Sequence, residues 1–223
     1  PNRVIYDRTH SSATTLAPEE VDWQFVRSAT HLHLTGITAA IGGACLKTMK
    51  RSLDEAREGG LTISFDVNFR STMWTPQKAA ETLGPLLHGS DVLFVSDQEA
   101  RSIFSLRGEH DQVVGKLREK FDARVIVLSL GERGACVLAD RIYRSEPYQA
   151  VVLNRFGVGD AFNAGFLYGF LSGDTEAGLK YGSAAAALKL STPDENFPLI
   201  TKSDVEALIE RGKTDPNPNE ISR

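Results

Sequence analysis

Short, densely apolar runs recur along this chain with longer amphipathic stretches between them, and this alternation limits the fold more than any other feature. Leu61–Phe65 (LTISF), Asp91–Val95 (DVLFV) and Arg124–Leu130 (RVIVLSL) are rich in β-branched and aliphatic residues and bounded by turn formers such as Gly59-Gly60. Such runs suit strands buried on both faces. His31–Leu34 (HLHL) is a weaker fourth. Between them, Gly43–Glu58 carries Leu46, Met49 and Leu53 at helical spacing, with a charged face supported by Lys50–Asp54 and Arg51–Glu55 at i,i+4. Pro76–Leu87 and Asp97–Leu106 read as two further helices. Strand–helix–strand repetition of this kind builds βαβ units. The expected class is therefore α/β, a mainly parallel sheet flanked by helices on both faces.

Beyond Leu130 the rhythm changes. Gly131-Glu132-Arg133-Gly134 leads into Ala135–Ala139, a tight turn and Arg141–Arg144, which predicts a C-terminal hairpin region. Tyr148–Leu153 and a glycine-bearing loop follow, then two helices rich in small residues, Gly159–Leu171 and Thr175–Leu190. Residues 1–212 are expected to form one domain and residues 213–223, polar with Pro216 and Pro218, a flexible tail.

Composition excludes several classes of function. With 25 Lys and Arg against 29 Asp and Glu, the net charge of −4 lacks the basic excess of a non-specific nucleic-acid binder. No run of about 18 apolar residues is present to span a membrane, and the start, Pro1–Arg8, has no apolar signal region. Cys45 and Cys136 are far apart and form no CxxC pair, so a reducing compartment, the cytoplasm, is expected. His31 and His33 share a strand face without a third ligand and read as structural.

Four segments carry candidate chemistry. In Asn154-Arg-Phe-Gly157-Val158-Gly159-Asp160, glycines flank a turn with a helix behind it, and a helix N-terminus offers free N–H groups to an anion. Asp160 would stand in the first turn, where a base for phosphoryl transfer is needed; a plain capping carboxylate would look the same. In Asp66-Val-Asn68-Phe-Arg70, a chain that stays extended would project three polar groups to one side at the C-terminal end of a strand, where open α/β sheets bind ligands. Arg70 there suits a carboxylate or phosphate. Ser96-Asp-Gln-Glu99 lies on the same rim. Glu99 would organise Mg²⁺ through water, or serve with Ser96 as a capping box, and the two roles are compatible. Gly131-Glu-Arg-Gly134 would let backbone approach a nucleotide or merely turn the chain.

Taken in order, DVNFR, SDQE, SLGERGA and GVGDAFNAGF resemble the C-terminal two thirds of ribokinase-like (PfkB) carbohydrate kinases. RVIYDR, HLTGIT and DVNFRSTMW resemble the 2-keto-3-deoxygluconate kinase subgroup in particular. The resemblance runs from about Arg3 to about Leu208. It implies ATP-dependent phosphorylation of a hydroxyl on a keto-deoxy sugar acid, with Mg²⁺; another sugar or nucleoside kinase, or a non-catalytic ligand-binding fragment, are the alternatives. It makes Asp160 the catalytic base and Gly157, Val158 and Gly159 the anion hole. It sets Tyr6, Asp7, Arg8, Arg70 and Asp194 against the sugar acid, and Asn68, Ser96, Ser129, Gly131, Gly134 and Gly182 on the ATP side, with Glu99 near Mg²⁺. Asn154 stands where the family usually has Asp, at a monovalent-cation site, so a monovalent cation stays open. The family's first third, with the first strands and a β-sheet lid, is expected to be missing. Sugar acid and ATP are the expected partners, without nucleic acid or membrane, and a homo-oligomer stays open.

Overall fold

Each apolar run marked as a strand is one, its ends displaced by at most a residue: β1 (His31–Thr35), β2 (Thr62–Asp66), β3 (Val92–Ser96) and β4 (Val125–Ser129). The computed structural model describes residues 11–193 and 200–214, which divide by packing between Leu128 and Ser129 into two units. In the first, the strands lie in the order β1-β2-β3-β4. β2 is parallel to both neighbours in the registers Thr35↔Asp66 and Asp66↔Phe94. That pairing draws Thr35 and Asp66 into the ladder and shifts the ends of β1 and β2.

Successive strand residues point to opposite faces, so the run Val92, Leu93, Phe94 and Val95, none above 3% exposed, is covered on both sides. Val125–Leu128 is the same. β1 is half-exposed along its length, which accounts for its weak apolar signal.

Two short helices, α1 (Ser12–Thr15) and α2 (Trp23–Arg27), precede β1, and crossover helices fill the connections between strands: α3 (Gly36–Ile41), α4 (Gly43–Glu58), α5 (Pro76–Leu87), α6 (Asp97–Ser102) and α7 (His110–Phe121). α4 buries Cys45, Met49, Leu53 and Ala56, spaced four, four and three apart, so its apolar stripe runs through Cys45 while Leu46 is only half-buried. Burying each large side chain contributes about 1.5–3 kcal/mol. Glu55 fastens α4 to α2, accepting from Arg27 and, at 3.3 Å, from Arg51. α5 has the start its sequence announces: Pro76 in the first turn behind Thr75, whose hydroxyl accepts from Lys78 N–H. α6 is shorter than expected and ends at Ser102. Leu106 N–H then closes on Ala100 C=O at 2.9 Å, and Ser105 takes φ +55°.

The second unit opens with a 3₁₀ turn, Gly131–Arg133, and the expected hairpin of β5 (Ala135–Leu138) and β6 (Ile142–Ser145), antiparallel in the register Ala135↔Ser145. An irregular stretch, 146–157, leads to α8 (Val158–Leu171), α9 (Thr175–Leu190) and α10 (Lys202–Thr214). α8 and α9 run antiparallel at glycine-to-glycine contact. A Cβ on Gly165 would meet Tyr181 C=O at 2.6 Å, and one on Gly182 would meet Phe162 C=O at 2.8 Å. α10 packs Val205 against Ala184 and Ala185. It also carries the backbone through Thr214, so the first two residues of the expected flexible tail are helical, and the rest of that tail lies outside the described residues.

Candidate active site

In the first unit, parallel β2 and β3 end side by side and deliver Asp66 and Ser96 to one rim. The chain does not stay extended past Asp66. Asp66 Oδ1 accepts from Asn68 N–H at 3.1 Å, a side-chain-closed turn, and Asn68 takes φ +41°, a left-handed conformation that Asn tolerates. The period-two alignment expected of Asp66, Asn68 and Arg70 is therefore replaced by a turn. Asp66 serves its own loop, and Arg70 emerges exposed, with no partner among the described residues.

Ser96 and Glu99 form the capping box that starts α6. The Ser96 hydroxyl accepts from Glu99 N–H at 3.2 Å, and Glu99 Oε2 accepts from Ser96 N–H at 2.8 Å and from the Ser96 hydroxyl at 2.7 Å. Glu99 Oε1 accepts Phe69 N–H at 2.6 Å. With three donors already on the carboxylate, one lone pair of Oε1 is left. That fits a water-mediated contact to Mg²⁺ and not direct chelation. Among the described residues no three His, Cys, Asp or Glu side chains converge as a ligand set.

In the second unit, the loop after β4, which ends at Ser129, is closed by Leu130 N–H to Gly134 C=O at 2.8 Å and Gly134 N–H to Gly131 C=O at 3.1 Å. Gly134 has φ +80°, and a Cβ there would stand 1.9 Å from Ser145 C=O. Its glycine is thus demanded by the hairpin as well as suited to a ligand. From this loop Glu132 accepts from Arg155 at 3.2 Å, an exposed pair worth little by itself.

Asn154 Oδ1 accepts from Phe156 N–H at 2.9 Å and so shapes the approach to α8. Gly157 caps the helix at φ +71°. The first intrahelical bond runs from Ala161 N–H to Gly157 C=O at 2.9 Å, which leaves the N–H groups of Val158, Gly159 and Asp160 at the positive end of the helix for an anion or water. Asp160 lies in that first turn, exposed, and its carboxylate has no hydrogen bond or ion pair among the described residues. It is not a capping side chain. Gly182, expected near the nucleotide base, has a packing reason of its own in the contact with Phe162.

One residue escaped the sequence reading. Lys189, in the last turn of α9, lays its Cε 3.3 Å from where a Gly157 Cβ would be, and so brings a cation to the anion loop. A lysine in a last helical turn reads as a dipole complement; its neighbour across the fold leaves no mark in sequence. Tyr6, Asp7, Arg8 and Asp194 lie outside the described residues. A cavity of about 380 Å³ bounded by Ser90, Asp91, Arg118 and Arg124 lies at the N-terminal ends of β3 and β4, opposite the rim that carries Asp66 and Ser96, and no candidate residue lines it. Among the described residues no helix is long and apolar enough to cross a membrane.

Comparison with known proteins bears on the family and the fold. The family model described as pfkB family carbohydrate kinase matches residues 1–202. A 2-dehydro-3-deoxygalactonokinase of Haloferax volcanii is 32% identical over 214 residues, 95% of this chain and 67% of that protein. A 5-dehydro-2-deoxygluconokinase of Halalkalibacterium halodurans is 29% identical, over 89% of this chain and 61% of that one. Among solved structures, the 2-dehydro-3-deoxygluconokinase of Thermotoga maritima matches with a TM-score of 0.87 at 25% identity, covering 94% of this chain and 69% of that one. An E. coli chain solved in complex with ATP and Mg²⁺ matches at 0.81 with 21% identity and shares the fold, covering 93% of this chain and 67% of that one. The chain thus spans between 61% and 69% of the length of these relatives.

Proposed function

The chain belongs to the pfkB family of carbohydrate kinases, and on that premise we propose that it takes part in ATP-dependent phosphorylation of a hydroxyl on a keto-deoxy sugar acid, with Asp160 as the base. The observation that carries the reading is the Asp160 carboxylate, exposed and without a partner among the described residues in the first turn of α8, directly behind the left-handed Gly157. A base must be free to take a proton, and a transferring phosphoryl group needs donors fixed in advance. Both requirements meet within four residues. The sugar hydroxyl gives its proton to Asp160 as its oxygen bonds to the γ-phosphorus, and the bond from phosphorus to the bridging oxygen breaks to release ADP. The loop Gly157-Val158-Gly159, with the free N–H groups of Val158, Gly159 and Asp160, would steady the charge on the moving phosphoryl oxygens.

The remaining roles follow the family pattern residue by residue. Ser129, Gly131, Gly134 and Gly182 would serve the nucleotide, as would Asn68 and Ser96, and Glu99 would hold Mg²⁺ through water. When bound, Mg²⁺ neutralises phosphate charge. Arg70 would receive the substrate carboxylate, joined by Tyr6, Asp7, Arg8 and Asp194. An exposed guanidinium with no partner among the described residues favours an anionic over a neutral sugar. Two relatives named as dehydro-deoxy-galactono- and -gluconokinases point to the same substrate class.

ADP release by the whole protein, measured across sugar acids, neutral sugars and nucleosides, tests the substrate class; turnover of neutral sugars or nucleosides in preference to sugar acids would refute it. In the Asp160→Asn variant kcat should fall by about 10²–10⁴-fold with the fold intact. Retention of more than about a tenth of kcat lies outside that range and would remove Asp160 from the role of base.

A further inference from the structure

The three amides that follow β2 are each engaged, and the last is held from another element. Val67 N–H donates to Phe94 C=O at 3.1 Å, Asn68 N–H to Asp66 Oδ1 at 3.1 Å, and Phe69 N–H to Glu99 Oε1 at 2.6 Å. A capping-box glutamate ordinarily reaches back only to its own N-cap. Glu99 does that with Oε2 and extends Oε1 to a loop thirty residues earlier in the chain. Such charge-assisted bonds are stronger than neutral ones, and the carboxylate can move neither toward Ser96 nor toward Phe69 without stretching the other contact.

The next residue is Arg70. Its backbone is fixed on the far side as well, by Met73 N–H donating to its C=O at 2.9 Å, while its side chain is exposed and has no partner among the described residues. The guanidinium is thus a free group on an immobilised stem. We propose that Glu99 is the positioning residue for Arg70: by holding Phe69 N–H it sets where the guanidinium meets a substrate carboxylate. This rests on reading the substrate as a sugar acid. It also gives the Ser96–Glu99 motif a duty toward the acceptor, separate from any contact with Mg²⁺. The anchored, charge-bearing loop is then a device for telling acids from neutral sugars, because a guanidinium on a loose loop would lose entropy on meeting its anion.

Glu99→Ala and Arg70→Ala, singly and together, are to be compared in the whole protein for kcat/KM on a sugar acid and on its neutral analogue, with the Mg²⁺ half-saturation measured alongside. Glu99→Ala is expected to lower the preference for the acid, by up to about 10²-fold if the guanidinium is displaced by roughly 1 Å. The double variant should lose no more preference than Arg70→Ala alone, since both changes remove one interaction. An unchanged preference, or a loss additive with that of Arg70→Ala, overturns the proposal, whether or not the Mg²⁺ half-saturation moves. Because removing the cap can unfold α6, Glu99→Asp is the second variant: it keeps the charge in the first turn but is one methylene short of Phe69. Faster amide hydrogen exchange at Phe69 with Val67 unchanged supports the clamp, and unchanged exchange at Phe69 overturns it. A wild-type protein that phosphorylates no sugar acid overturns the substrate reading, and Arg70's role with it; the exchange at Phe69 then still decides the clamp separately.

Discussion

Gly169 of α8 lies so close to Gly178 of α9 that a Cβ on the first would stand 2.2 Å from the backbone nitrogen of the second. Backbone cannot swing aside as a side chain can, so the two helices would have to part. Gly169→Ala should therefore destabilise the protein by at least the 1–3 kcal/mol typical of an overpacked core, or roughly 2–4 °C in Tm for each kcal/mol. Gly115→Ala in α7 is the contrast. Nothing lies within 4 Å of its added methyl, and relief of glycine's backbone entropy should raise stability by roughly 0.5–1 kcal/mol. Thermal unfolding of the two variants measures both effects. Equal Tm values would mean that the helix contact is looser than its geometry.

Gly157 meets a different demand. At φ +71° an L side chain costs about 1–2 kcal/mol, while the space problem is small, because the atom it would meet is the far end of Lys189. Gly157→Ala should lose roughly 2–8 °C in Tm and much catalysis, about 10²–10³-fold in kcat if the loop turns one N–H away from the phosphoryl group. Gly159→Ala, with open space around its Cβ, should hold the wild-type Tm. A Gly157→Ala protein with unaltered kcat would show that the loop's shape is irrelevant to transfer.

Much of this was legible in sequence, and the failures have physical causes. α4, α5 and α9 begin and end where their patterns do, because capping and periodicity there are local properties. α7 was not anticipated, although Val113, Leu117 and Phe121 form a stripe at four-residue spacing: two adjacent valines and Gly115 dilute helix propensity, and packing overrides it. The site divides in the same way. The Gly157–Asp160 turn and the Ser96–Glu99 box are contiguous and could be read directly. The grip of Glu99 on Phe69 and the approach of Lys189 to Gly157 join distant segments, and only the folded chain displays them.

The two histidines of β1 are placed by hydroxyls. Thr62 Oγ1 donates to Thr30 C=O at 3.2 Å, so it accepts from His31 Nδ1–H at 2.8 Å. His31 Nε2 then carries no proton and takes the Ser64 hydroxyl hydrogen at 2.8 Å, which leaves Ser64 Oγ to accept from His33 Nδ1–H at 2.7 Å. Every bond in this chain points one way, and a second proton on His31 would oppose it. Burial and the neighbouring His33 lower the His31 pKa below its ordinary 6.5, and the charge of Asp91, just ahead of β3, only partly offsets them. A depressed histidine favours the fold while neutral. Above about pH 6.5 folded and unfolded chains both leave it neutral, and its contribution is complete. As the pH falls below that value the unfolded chain takes up a proton that the folded one refuses, so stability declines until the lower folded pKa is reached. Urea unfolding between pH 8 and pH 5 should therefore show a steeper acid-side loss in wild type than in His31→Gln, which keeps a hydrogen-bonding side chain and cannot titrate. Parallel profiles would place the histidine's proton affinity in the folded protein at its unfolded value.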